Sequence, residues 1–330
     1  MLDTALLTRH LGEALGRPIE IRTVEPLYGG ACQDNFKVSL SEGPPLVLRS
    51  DAPTSLPGSL GRSDEHEVIR VARSRGVKTP DVLGLGVGLV HAGSAAYFMS
   101  WADGVAIGRH VVRGAALANA REGLAVELAR ELTRIHTITP ITHPGLFPGR
   151  DRTERTDPVL AQLVALRRSI DTLPHRRPAL ELAYAWLAAN RPAAREVTLV
   201  HGDFRTGNFL VSPEGLSAVL DWEFAHFGSP HDDVAWLCVR DWRFGELNKP
   251  VGGFSEREPF YAAYEAESGR TLDRVALHWW EVFGNVRWGA GALHQGRRYS
   301  EQKDLELVAI ARRAGEMEFE ALRLIRKGSL

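Results

Sequence analysis

The chain has 330 residues, 44% of them hydrophobic and 25% charged, the make-up of an ordinary globular protein with ample core. Forty basic residues against 41 acidic ones leave a formal net charge of −1, which gives no electrostatic reason to expect nucleic acid or an anionic membrane as partner. Cys32 and Cys238 form no Cys-x-x-Cys pair, no apolar run reaches the length of a membrane span, and the first 15 residues do not read as a signal peptide, so a soluble cytoplasmic protein is the expectation.

In chain order, Leu6, Leu7, Leu11 and Leu15 stand at helical spacing and predict an amphipathic helix over residues 4–15. Residues 19–27 alternate like a strand and run into Tyr28-Gly29-Gly30, with a second strand over 36–40. Taken alone, the two glycines predict no more than a hairpin turn. Residues 46–49 form a third strand, and 50–62, rich in Pro, Ser and Gly, a loop. A helix follows over 63–74, opened by capping residues. Two further strands, 82–90 and 95–101, complete a five-stranded sheet with one main helix. Beyond Ala102-Asp-Gly104 the pattern turns helical. Leu124, Leu128, Leu132 and Ile135 make a core stripe ending at His136, which reads as a core or helix-end histidine. Residues 158–170 and 178–190 are two more helices, and 255–330 is helical by periodicity.

The chemistry concentrates in His201-Gly-Asp-Phe-Arg-Thr-Gly-Asn-Phe-Leu-Val211. Two short strands and a Pro213-Glu-Gly215 turn predict a hairpin that holds Asp203, Asn208 and Asp221 around one point. Three oxygen groups with no cysteine nearby suit a hard cation such as Mg2+ bound together with a phosphate. Asp-x4-Asn followed by a metal-binding Asp is the kinase arrangement. In it Asp203 orients the attacking hydroxyl and takes its proton, while Asn208 and Asp221 hold Mg2+ on the nucleotide phosphates.

This segment, with Asp221-Trp-Glu223 and Gly228-Ser-Pro-His-Asp-Asp-Val-Ala-Trp236, resembles the aminoglycoside phosphotransferase and choline kinase superfamily. Within it, the likeness is to the branch that includes the kinase domain fused to some acyl-CoA dehydrogenases. The resemblance rests on residues 201–236, with Ser229 departing from the commoner Gly-Asp-Pro. It implies an α+β, two-lobed protein-kinase-like fold: a small antiparallel-sheet lobe over 1–101 that binds nucleotide, and a mainly helical lobe over 102–330 for catalysis and substrate.

By the same resemblance, Gly29 and Gly30 become a nucleotide flap, and Arg49 stands where the phosphate-gripping Lys usually is, with Lys37 a poorer substitute. Glu65 is its partner by register and Glu67 the fallback. Met99, Ser100 and Trp101 form a hinge whose backbone reads a nucleobase edge. His201 positions the loop, Asp233 braces it, and Arg205 is the available cation, since no lysine lies between Lys78 and Lys249. Asp232, Trp236, Arg287 and Trp288 are candidates to face the substrate. The implied donor is ATP or GTP with Mg2+, and the implied acceptor a small hydroxylated molecule.

Three competing readings are weaker. A protein Ser/Thr kinase should carry Asp-Phe-Gly and Ala-Pro-Glu with a segment between, and neither motif is present. The His231-Asp232 dipeptide occurs in metal-dependent phosphohydrolases, but these are all-helical, whereas here it follows two strand-like segments. A non-catalytic nucleotide-binding regulator would ordinarily have lost one of Asp203, Asn208 and Asp221. Between residues 226 and 300, ten acidic side chains face nine basic ones. A polycationic acceptor favours a clear acidic excess, so an uncharged or acidic hydroxylated metabolite fits as well.

Overall fold

A computed structural model of the chain describes residues 2–27, 33–51, 58–149, 153–298 and 305–328. Helix α1 (Thr4–Leu15) starts at Asp3, whose carboxylate accepts from the Leu6 N–H, and stops at Gly16 in the left-handed conformation. It buries Leu7 and Leu11 against a five-stranded sheet. The sheet runs β1 (Ile21–Pro26), β2 (Gln33–Leu40), β3 (Leu46–Asp51), β5 (Ala95–Ser100) and β4 (Val82–Val87), with every neighbouring pair antiparallel. Strand β2 begins three residues before the sequence pattern suggests, because Gln33, Asp34 and Asn35 pair with Asp51, Ser50 and Arg49. Helix α2 (Arg62–Ser74) packs beside β5 and β4. Its N-cap is Gly61, with no side-chain cap, so Ser63 and Asp64 lie inside the helix and not at its cap.

The helical half is built on two long rods. One is α4 (Ala118–Ile135), preceded by the short α3 (Gly108–Arg113), and it buries the predicted stripe of Leu124, Leu128, Leu132 and Ile135. Then come α5 (Thr153–Thr156), α6 (Pro158–Asp171) and α7 (Pro178–Ala189). Two small antiparallel ladders follow. They are β6 (Thr198–Val200) with β9 (His226–Gly228), and β7 (Phe209–Ser212) with β8 (Gly215–Val219). Helix α8 (Pro230–Trp236) leaves β9 directly, and α9 (Arg257–Ser268) lies along α4.

The second rod is the 24-residue α10 (Arg274–Arg297), whose Asp273 cap accepts from the N–H groups of Val275 and Ala276. Around it pack α7, α8, α11 (Leu305–Arg312) and α12 (Ala314–Lys327). The result is a small antiparallel-sheet lobe joined to a mainly helical one. The β6–β9 and β7–β8 ladders stand where the two halves meet.

Candidate active site

The loop between β6 and β7 is fixed from behind. Asp233, one turn into α8, accepts the N–H of His201 at 2.7 Å through Oδ2 and the N–H of Gly202 at 3.0 Å through Oδ1. Its burial alone would raise its pKa, but His136 and His201 outweigh that and hold the carboxyl below the usual range. His136 is fully buried and lies 3.4 Å from Asp233 Oδ2 and 2.7 Å from the Tyr264 hydroxyl. His201 Nε2 donates to the Leu220 carbonyl at 3.0 Å, so its Nδ1 is the atom that accepts from the Asp203 N–H at 3.2 Å. Gly202 has φ +79°, and a Cβ there would stand 2.2 Å from the Phe224 carbonyl oxygen, so the loop can turn only at a glycine.

Asp203 emerges from this loop with its carboxylate surrounded by donors. Trp236 Nε1 reaches Oδ1 at 2.8 Å, Asn208 Nδ2 reaches Oδ2 at 2.6 Å, and Arg205 Nε lies 3.1 Å from both oxygens. The Leu220 N–H donates to the Asn208 carbonyl at 2.8 Å, which ties the end of the hairpin to the loop and sets Asp221 beside it. Asp221 itself adopts φ 66°, ψ 63°, left-handed backbone that an Asp tolerates better than most residues. That bend aims its side chain across to the sheet.

There it meets Arg49. The guanidinium grips Glu65 twice at 2.9 Å and donates to Asp221 Oδ1 at 2.6 Å, and it also lies 3.4 Å from Asn35 Oδ1. Glu65 has two further donors, the Tyr97 hydroxyl at 2.7 Å and the Arg62 guanidinium. Glu67 points outward and pairs with Arg70. Burial pushes the Arg49 pKa down, but Glu65 and Asp221 more than reverse this and raise it well above its ordinary value. Burial also acts on Asp221, yet Arg49, then Arg205 and His201, hold its carboxyl below the usual range. Glu223, two residues on, goes the other way: burial and the nearby Asp221 charge push it up to about 7.

A sequence model described as the phosphotransferase enzyme family matches residues 23–278. The chain belongs to that family. Over 212 residues it is 26% identical to the mouse acyl-CoA dehydrogenase family member 10, covering 64% of this chain and 20% of that protein. Over 65 residues it is 42% identical to the rat acyl-CoA dehydrogenase family member 11, covering 19% of this chain and 8% of that one. The chain thus spans about a fifth or less of the length of these relatives.

Among solved structures, a Ralstonia eutropha protein provisionally assigned as an aminoglycoside phosphotransferase superposes over the whole of both chains, with a TM-score of 0.76 at 20% identity. A choline/ethanolamine kinase family protein from Mesorhizobium loti gives 0.61 at 18% identity, covering 92% of this chain and 88% of that one. The GDP complex of wild-type aminoglycoside 2'-phosphotransferase-IIIa gives 0.60 at 16% identity, covering 97% and 98%. The fold is therefore the two-lobed kinase-like one.

The remaining residues singled out in the sequence of this phosphotransferase family member are scattered more widely. Gly29 and Gly30 lie outside the described residues. Met99 sits within β5, opposite Val47 on one side and Val82 on the other. Ser100 is engaged with Asp81, through its N–H at 2.8 Å and its hydroxyl at 2.9 Å. Trp101 donates to Asp103 and lies under the Lys37 ammonium, 4.9 Å from the ring centroid. Asp232 and Trp236 are 2% and 4% exposed, and Trp236 reaches Asp203 and not solvent. Trp288 bonds Asp241 at 2.5 Å and packs against Trp242 with the rings tilted by 46°.

Sequence reasoning missed Arg62 and Tyr97. The only signal for Tyr97 was its place directly opposite Arg49 in the sheet register, and an aromatic in a strand reads as core. Arg62 looked like the end of a surface loop, yet it is 2% exposed.

The oxygen groups also fit a hard cation. Asn208 uses its amide nitrogen on Asp203 and Asp221 uses Oδ1 on Arg49, so Asn208 Oδ1 and Asp221 Oδ2 make no hydrogen bond among the described residues. No cluster of three or more His, Cys, Asp or Glu side chains able to hold a metal occurs among them. Two protein oxygens, completed by phosphates and water, are what a nucleotide-borne Mg2+ takes, and a protein-only cage is not needed.

Proposed function

We propose that this protein transfers the terminal phosphoryl group of ATP or GTP to a hydroxyl of a small molecule, with Mg2+ held by Asn208 and Asp221. The observation that carries this reading is the convergence of Asp203, Asn208 and Asp221 from one loop-and-hairpin with Arg49 and Glu65 from the sheet. The residues up to 101 act as the nucleotide-binding lobe, with the hinge near Met99, Ser100 and Trp101 against the base, and those from 102 onward as the catalytic and acceptor lobe. Bound Mg2+ supplies charge neutralisation on the phosphates.

Asp203 orients the acceptor hydroxyl and receives its proton as the oxygen bonds to phosphorus. The bond from phosphorus to the bridging oxygen breaks, and its electron pair leaves with the nucleoside diphosphate. Arg49, whose Nε and Nη2 are held by Glu65 and Asp221, offers Nη1 to the remaining phosphates in the place of the usual lysine. Catalysis comes chiefly from positioning and electrostatics.

The Arg205 guanidinium bonds the Asp203 carboxylate and lies over Trp242, while that of Arg287 lies over Trp236, whose indole N–H donates to the same carboxylate. A cation on the reacting carboxylate, with a second lying one ring away, favours an uncharged or acidic acceptor over a polycationic one. The test is a mass-spectrometric search for phosphate esters. The protein receives Mg2+ with ATP, or separately GTP, and a mixed library of hydroxylated metabolites and aminoglycosides, with Asp203→Asn in parallel. A new ester that is absent with the variant supports the reading. Equal product from both proteins would sink the assignment of Asp203, and esters of aminoglycosides alone would sink the acceptor class.

A further inference from the structure

Arg287 lies in the C-terminal half of α10, and its guanidinium meets three groups at once. Nη2 donates to the Gly202 carbonyl. The guanidinium carbon lies 3.7 Å from the centroid of the Trp236 ring. Nη1 stands 3.7 Å from Asp232 Oδ2, a buried oxygen with no hydrogen bond of its own. Only 25% of the Arg287 side chain is exposed.

The first two contacts share a consequence. The Gly202 carbonyl belongs to the peptide group whose N–H is that of Asp203, so Arg287 holds one side of this peptide while His201 holds the other. Trp236 is the residue whose indole N–H donates to the Asp203 carboxylate. One cation therefore supports Asp203 both through its backbone and through its side chain, without bonding the carboxylate itself.

We propose that Arg287 is a positioning residue, which sets the orientation of the Asp203 carboxylate through the Gly202 carbonyl and the Trp236 ring. The inference rests on the phosphotransfer reading above. A planar guanidinium can stack on an indole and donate in its own plane together, whereas an ammonium can do only one of these well. Displacing a reacting group by about 1 Å costs on the order of 100-fold in rate. The loss should therefore fall on kcat and leave nucleotide binding alone.

The test uses the full chain with Mg2+ and ATP or GTP, and phosphate release to water as the measured turnover. Arg287→Met should lower kcat by about 10–100-fold with an unchanged KM for nucleotide, and Arg287→Lys should fall between it and the parent. Trp236→Phe keeps a ring for the stack but loses the N–H, and combined with Arg287→Met it should cost less than the product of the two single losses.

In an Asp203→Asn background, Arg287→Met should cost almost nothing further, because the group it positions is gone. Amide hydrogen exchange over residues 201–203 should also quicken in Arg287→Met, whatever the turnover. An active parent with unchanged kcat in Arg287→Met, or with the same fold loss in both backgrounds, overturns this inference alone. A parent with no turnover on either nucleotide removes the phosphotransfer reading and this inference with it.

Discussion

The two halves of the site are held by opposite means. On the sheet side a single carboxylate, Glu65, gathers the guanidiniums of Arg49 and Arg62 and the hydroxyl of Tyr97, all four groups being buried. On the helical side a loop of backbone is gathered by Asp233, His201 and Arg287, and the carboxylate it presents, Asp203, is supported by neutral and cationic donors. The first half is a charge cluster centred on one fully buried anion, with Asp221 and Asp51 at its edges. The second is a geometric frame in which each bond does a modest share. Losing one group from a buried charge cluster strands the rest, whereas losing one support from a frame misplaces a group without unfolding it.

The largest effect is expected at Asp203 itself. Asp203→Asn should lower turnover by about a thousand-fold, within the range for a positioned acid–base group, while the urea midpoint stays put or rises. An unfolded variant would show that the helical side is also a charge-dependent structure. Next comes Glu65→Ala, which removes the carboxylate that two buried guanidiniums share, leaving Arg49 with Asp221 and Arg62 with Asp51, and should cost about 3 kcal/mol of stability. Chemical denaturation measures this, and a loss below about 1 kcal/mol would mean that the cluster is not held by its anion.

Asp232 separates the halves by pH. Burial pushes its carboxyl up to about 7, against the pull of Arg287 and with the help of Asp233. Between pH 4 and 7 the folded state keeps a proton that the unfolded chain releases. Its contribution is therefore full at low pH and is lost as pH rises through 7. Asp232→Asn should gain on the parent by about 3 kcal/mol as pH is raised from 4 to 7.5, which paired unfolding curves at the two pH values would reveal. A parallel pair of curves would remove Asp232 as the titrating group. The smallest expected effect is Arg49→Lys. A lysine cannot bond both Glu65 oxygens and Asp221 together, so nucleotide affinity should drop about tenfold, read by titration calorimetry. Unchanged affinity would make Arg49 a strut of the charge cluster and not a phosphate ligand.

Much of this site could be read from neighbouring residues in the chain. Asp203, Asn208 and Asp221 fall within 19 residues, joined by a tight hairpin, so local turn and strand signals were enough to bring them together. The helices over 4–15, 118–135 and 178–189 follow from apolar spacing in the same way. The start of β2 and the N-cap of α2 did not, because the partners that decide them are distant: β3 extends the first, and Arg62 is drawn inside the helix by Glu65 and by Asp51 across the loop.

Local chain order specifies the chemical groups and the short segment that clusters three of them, since those contacts lie within reach of a hairpin. The groups that support them are set by long-range packing. Tyr97 on Glu65, Arg49 on Asp221, Trp236 on Asp203 and Arg287 on Gly202 join residues 32, 172, 33 and 85 positions apart. A buried arginine or tryptophan carries no local sign of its partner. In the chain it looks like surface charge or core, and only packing brings the complementary group within bonding distance.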